Sequence, residues 1–251
     1  MMRRPQEPAA MMDPILSLLA KVSPQAHARL LYHFRKASHF PFGTEYGGAF
    51  NSQRERQAIF HEVVKAFPPA AILETGSFRG VTTEFIARLA LAPIYSCEAI
   101  ESNYCFSQLR LRGHPEVHLS LSDSRTFLRN IIASKNLRQS KLFIYLDAHW
   151  EHDLPLHDEV ELIADGLDDY IIMVDDFEVP GDSGYTFDDY GPGKKLTLSY
   201  LQDLVSARKL AVYFPTAPSS AETGAKRGSV ILASPSAAGV VAGLQTVRRH
   251  A

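Results

Sequence analysis

Cysteine is scarce. The 251 residues hold only Cys97 and Cys105, too few for a disulfide framework and spaced like no zinc motif. The expectation is two reduced thiols in a cytoplasmic protein, with Cys97, inside a predicted apolar strand, an inert thiol rather than a nucleophile. An excess of one charge is lacking too. A net charge of -2 leaves no global basic field to draw nucleic acid. No apolar run is long enough to span a bilayer. A secretory leader is not expected either: Arg3 and Arg4 run into Pro5, Gln6, Glu7 and Pro8, and the apolar stretch 14–20 is short and lacks a cleavage site. Repeats and low-complexity tracts are missing.

What is present is enough apolar residue, 45%, for one sizeable core. Residues 1–50 read as a helical extension and cap, and 51–251 as the main domain. Ser23 before Pro24 marks a helix start, with Leu30, Leu31 and Phe34 on its packing face and Arg29, Arg35 and Lys36 beside it. Gly43, Gly47 and Gly48 make 42–50 a loop. Ser52 with Glu55 forms a capping box, followed by the stripe Ile59, Phe60, Val63, Val64 and Phe67; Pro68 and Pro69 stop that helix.

From residue 70 strands and helices alternate. Strands fall at 71–74, 94–98, 117–121, 142–147 and 171–175, each followed by a helix. Two late strands, 211–214 and 229–233, lack a helix between them and suit an antiparallel hairpin at the sheet edge. Residues 216–227, rich in Ser, Ala, Pro and Gly, read as a mobile loop. The expected fold is α/β: a Rossmann-like, doubly wound, mostly parallel seven-stranded sheet with an antiparallel edge strand, plus an N-terminal helical extension.

The strongest local signal is Glu74-Thr75-Gly76-Ser77-Phe78-Arg79-Gly80, at the carboxyl end of the first strand. Ligands of open α/β sheets bind at that end. Gly76 and Gly80 let the backbone turn tightly, and the amides leading into the next helix can bind polar groups. A dinucleotide fingerprint needs three glycines, and here there are two. Glu98 ends the second strand, where a carboxylate can accept two ribose hydroxyls. Asp123 and Ser124 follow the third; Asp123 also suits a helix N-cap.

These motifs resemble those of class I S-adenosylmethionine-dependent methyltransferases. The resemblance covers about residues 40–235 and is nearest to bacterial small-molecule O-methyltransferases of the macrocin and mycinamicin sugar type. It implies S-adenosylmethionine as cofactor, held by Glu74, Gly76, Ser77, Gly80, Glu98, Asp123 and Ser124. It also implies that the segment from Gly47 to Gln53 is a cap over the cofactor.

Asp147 ends the fourth strand, and Asp175 and Asp176 end the fifth. Carboxylates converging there repel one another unless a cation neutralises them, and Mg²⁺ or Mn²⁺ suits oxygen ligands. The arrangement resembles the metal site of catechol-type and macrolide-sugar O-methyltransferases, which implies Asp147, Asp175 and Asp176 as ligands. Asp175→Asn is then expected to abolish activity and spare cofactor binding. His149 is the candidate general base, with His152 an alternative. A zinc site of His149, His152 and His157 is the competing use of those histidines, but Pro155 interrupts the segment. Residues 179–195, with Tyr185, Phe187, Asp188, Asp189, Tyr190 and Lys194, read as a lid.

The expected function is metal-assisted O-methylation of a hydroxylated small molecule, a sugar among the candidates. A metal-free methyltransferase and a non-catalytic cofactor-binding module are the alternatives. The partner is the small-molecule acceptor, with no nucleic acid and no membrane span, and the N-terminal helices offer a route to a homo-oligomer.

Overall fold

The structure, a computed structural model, describes residues 13–37, 47–89, 92–149 and 153–250. The expected arginines Arg3 and Arg4, Gly43 and His152 lie outside the described residues, as does most of the loop 38–46.

An eight-stranded sheet runs in the order β3-β2-β1-β4-β5-β7-β6-β8. Its strands are β1 (Ala71–Thr75), β2 (Ile94–Glu98), β3 (Val117–Leu121), β4 (Lys141–Leu146), β5 (Asp169–Val174), β6 (Ala211–Pro215), β7 (Val230–Ala233) and β8 (Val247–Arg249). The first five are mutually parallel, so the chain reverses direction across the sheet between β1 and β4. That reversal opens a crevice at the carboxyl ends of β1 and β4. β7 pairs antiparallel with both β5 and β6, so the expected late antiparallel pair forms. β7 is inserted inside the sheet rather than at its rim, and β8 adds an eighth, antiparallel edge strand.

The helices are α1 (Asp13–Val22), α2 (Pro24–Ala37), α3 (Arg54–Ala66), α4 (Val81–Leu89), α5 (Glu101–Leu111), α6 (Ser124–Lys135), α7 (Leu156–Gly166), α8 (Leu198–Ala207) and α9 (Ala238–Ala242). Each central strand is apolar on both faces because each face is covered. Leu73, Ile144 and Ile172 meet Leu128, Val160, Ile163 and Leu201 from α6, α7 and α8. Ile72, Phe143 and Ile171 meet Ile59, Phe60, Val63 and Ile86 from α3 and α4. Burying each such side chain contributes roughly 2 kcal/mol.

Two local expectations are corrected. Of the expected packing face of α2 only Leu31 packs, beside Ala28 and Tyr32 against Phe106 of α5, while Leu30 and Phe34 are exposed. Ala28 lets the helices approach closely, and Tyr32 one turn later reaches the Phe106 edge. The capping box also fails. Ser52 has φ 55 and the N-cap of α3 is Gln53, with no side-chain cap of its own. The acceptor comes from 216–227 instead. Glu222 takes the amides of Glu55 at 3.1 Å and Arg56 at 3.1 Å, and Thr223 Oγ1 takes that of Arg54 at 3.0 Å. A carboxylate suits the positive end of a helix, and these contacts tie the segment down.

Candidate functional site

At the crevice β1 ends in a turn stabilised by amides. Gly76 N and Ser77 N donate to Cys97 O of β2 at 3.1 and 2.9 Å. Gly76 has φ 81, and a Cβ there would lie 2.3 Å from the Asp147 carbonyl oxygen. Glycine is required because the turn lies directly against the end of β4. Gly80 packs towards Leu111 of α5.

Glu74 is fully buried under this turn. Thr83 and Ser96 hydroxyls each donate to its Oε2 at 2.6 Å. Burial raises its pKa, and the two hydroxyls oppose the rise. Glu98, buried at the end of β2, accepts from Ile100 N at 2.7 Å; burial raises its pKa as well. Asp123 caps α6, accepting from Thr126 N at 3.0 Å, and that bond lowers its pKa. Ser124 is buried in the first turn of that helix.

A polar cavity lies beneath the turn, lined by Asn51, Gly76, Ser77, Tyr145, Asp147 and Asp175 among others. The buried Ser77 Oγ has no hydrogen-bond partner. Three apolar residues are exposed at or just past the ends of successive strands: Phe78 at 40%, Ile100 at 51% and Leu121 at 48%. Sequence reading passed over them, although an apolar residue at a strand end is a visible signal.

The three aspartates part company. Asp176 has φ 53, and this left-handed turn sends the two consecutive carboxylates to different partners. Asp175 is buried against Arg56 and Tyr145. Asp176 instead accepts from Arg227 Nε at 2.7 Å, and the same guanidinium pairs with Asp188. Asp147, His149 and Asp176 each offer a ligand atom, all within 4.8 Å of one another. Asp175 is not in that group.

His149 Nε2 lies 3.9 Å from Asp147 Oδ1 and 4.0 Å from Asp188 Oδ2. Its side chain is 1% exposed, and neither ring nitrogen has a hydrogen-bond partner. Burial lowers its pKa, with Asp176 and Asp188 opposing. Asp147, 35% exposed at the side chain, has its pKa raised by the protein packed around it and by Asp176. His157 bonds Asp203 at 3.0 Å and falls in a different group from His149, so these two members of the zinc alternative do not come together. Burial pushes the Cys97 thiol far up, consistent with an inert role.

The 179–195 segment leans on the site. Tyr190 OH donates to Asp188 Oδ2 at 2.6 Å, and Asp188 N donates to Asp176 O at 3.0 Å.

No protein-family model matches the chain, and no curated protein sequence does. Solved structures do. An O-methyltransferase from Bacillus cereus in complex with SAH superposes with a TM-score of 0.55, covering 88% of this chain and 97% of that one at 16% identity. The fold is that of the O-methyltransferases. A second match is the O-methyltransferase TomG of Streptomyces achromogenes, involved in tomaymycin synthesis and solved with SAM. It gives a TM-score of 0.53 at 11% identity, over 91% of this chain and 100% of that one. No helix among the described residues is long and apolar enough to cross a membrane.

Proposed function

We propose that the chain is an S-adenosylmethionine-dependent methyltransferase that methylates a hydroxyl of a small molecule, a sugar among the candidates, with a divalent ion assisting. One observation carries this reading. Asp147 lines the polar cavity under the Gly76–Ser77 turn and also belongs to the group it forms with His149 and Asp176. A donor site and an acceptor-activating site therefore meet at one residue, at the crevice of a methyltransferase fold.

The residues present fit the cofactor. Ser77 Oγ is an orphaned buried polar atom at the cavity. Glu98 and Asp123 supply carboxylates for hydroxyl and amino groups, and Phe78, Ile100 and Leu121 supply an apolar edge for a heteroaromatic base. The cofactor brings an activated methyl group on sulfur. The protein's task is orientation, since in-line displacement depends steeply on the geometry of approach.

The residues also fit a divalent ion. Asp147 and Asp176 are hard oxygen donors, and the unpartnered His149 nitrogens are unused donor capacity in a buried place. An ion there would lower the pKa of an acceptor hydroxyl. A lowered pKa keeps His149 neutral near pH 7, able either to ligate or to take the acceptor's proton. Tyr190 and Asp188 from the lid face the same place and suit a polyhydroxylated acceptor.

Calorimetry with S-adenosylmethionine and S-adenosylhomocysteine, with and without Mg²⁺, tests the proposal. Both are expected to bind, and Asp147→Asn is expected to weaken Mn²⁺ binding by tenfold or more. Failure of both cofactor forms to bind overturns the methyltransferase reading. Full activity in excess chelator overturns only the ion.

A further inference from the structure

Asp175 follows β5 and lines the cavity, yet it stands outside the group of Asp147, His149 and Asp176. It is 2% exposed and its two oxygens are fully engaged. Oδ1 takes Arg56 Nη1 and its neighbour's amide, Asp176 N, at 2.7 Å. Oδ2 takes Tyr145 OH at 2.6 Å and Asn51 Nδ2 at 3.2 Å. A carboxylate offers roughly four lone-pair sites, and four donors fill them. Arg56 is 1% exposed and also donates from Nη2 to the Arg227 and Gly228 carbonyls, while its Nε has no partner. A buried pair held in this way is costly to break from one side.

The Asn51 end of this network is unusual. Phe50, Asn51 and Ser52 have φ 49, 58 and 55, three consecutive non-glycine residues in the left-handed region. Each such residue costs roughly 1–2 kcal/mol, so the turn forms only where its surroundings hold it. Phe50 is fully buried in an aromatic cage of Phe60, Phe85 and Tyr145, with ring centroids 5.3, 5.7 and 5.0 Å away. Its amide donates to Thr82 Oγ1 at 3.2 Å. Ser52 O accepts from Thr223 Oγ1 at 2.8 Å. Asn51 lies between these anchors and lines the polar cavity with Gly76 and Ser77, and its side-chain amide donates to Asp175.

We propose that Asp175 is a positioning residue that locks the left-handed turn at 50–52 over the cofactor cavity through Asn51, and that it does not ligate the divalent ion. The inference rests on the cofactor reading above, and it reverses the phenotype expected of a metal ligand. Loss of the Asp175–Asn51 contact opens the cap and weakens the cofactor, while the ion stays bound by Asp147, His149 and Asp176.

Asn51→Gly is the cleanest test, because glycine keeps the left-handed conformation without strain and removes only the side chain. Calorimetry with S-adenosylhomocysteine is expected to show about tenfold weaker binding. Titration with Mn²⁺ alone is expected to stay within about twofold of the parent chain. Hydrogen exchange without cofactor is expected to rise across 47–56. Asp175→Asn should follow the same pattern and Asp176→Asn the opposite one, with Mn²⁺ binding lost and S-adenosylhomocysteine binding kept. Asn51→Gly with unchanged S-adenosylhomocysteine affinity and unchanged exchange overturns the proposal, whether or not Asp175→Asn folds. Loss of Mn²⁺ binding in a folded Asp175→Asn overturns it as well. If the parent chain binds no cofactor, the methyltransferase reading falls, and the exchange of 47–56 still decides whether Asp175 holds the turn.

Discussion

Glu159 sits on the buried face of α7, fully buried between Leu156, Val160 and Ile163, and neither carboxyl oxygen completes a hydrogen bond. The Thr75 and Ser124 hydroxyls lie near enough to favour its charge, but burial dominates and lifts its pKa from 4.5 to about 7. Between those two values the unfolded chain releases this proton and the folded chain keeps it. Stability therefore falls as pH rises from about 4.5 to about 7, and stays lowered above that. At about 1.36 kcal/mol per pKa unit the loss approaches ~3 kcal/mol. Glu159→Gln removes the titration. Urea unfolding should show the variant gaining on the parent by up to ~3 kcal/mol at pH 8, with most of that gain absent at pH 5. An equal difference at both pH values would show that the carboxyl does not titrate across this window. The same residue shows what a sequence can yield at this scale. Leu156, Glu159, Val160 and Ile163 follow helical spacing, as do Arg56, Ile59, Phe60 and Val63. A charged residue on an apolar stripe is a visible signal of a buried ionic group, although neither Glu159 nor Arg56 was singled out from the sequence. Their partners give no such signal. Asp175 is 119 residues from Arg56, and no local pattern connects them.

At the scale of elements, long-range contacts replace the local devices that sequence suggests. The strands and helices from β1 to α8 were legible because their apolar periods are strong and because buried parallel strands are apolar on both faces. Asp123 as the cap of α6 was legible because capping is local. The start of α3 was not, because its acceptor, Glu222, lies 166 residues from Arg56 in a segment whose composition suggested mobility. α9 and β8 span only five and three residues, too short to show a period. The role of Glu222 is testable. Its Oε1 accepts Glu55 N and Thr223 N at 3.1 and 2.7 Å, and its Oε2 accepts Arg56 N at 3.1 Å. Glu222→Ala leaves these amides without an acceptor and should cost about 2 kcal/mol. The denaturant midpoint is expected to fall with an unchanged m-value, whereas Glu222→Gln, which keeps one acceptor oxygen, should lose less.

For the whole molecule, three segments distant in sequence are bonded to one another. They are the turn at 47–53, the 179–195 segment and the 216–228 loop, and Arg227 joins them. Its backbone pairs twice with the Gln53 side chain, Arg227 N donating to Oε1 at 2.7 Å and Gln53 Nε2 donating to the Arg227 carbonyl at 2.8 Å. Its guanidinium bridges Asp176 and Asp188 of 179–195. That segment is tied on again by Thr186 N to Lys226 O at 2.9 Å and Gly228 N to Thr186 O at 2.8 Å. Gly224, with φ 63, permits the close approach, since a Cβ there would lie 2.1 Å from the Asn51 carbonyl oxygen. Segments bonded in this way open together, and they open at lower free energy than the sheet beneath them, which carries the buried apolar contacts. Gln53→Ala cuts three of the hydrogen bonds between the turn and the loop, two to Arg227 and one to Glu222, while leaving the Arg56–Asp175 pair in place. Hydrogen exchange is expected to accelerate together across 47–56, 179–195 and 222–228, with β1, β4 and β5 unchanged. Faster exchange confined to 47–56 would mean that the turn moves alone, independently of 179–195 and the 222–228 segment.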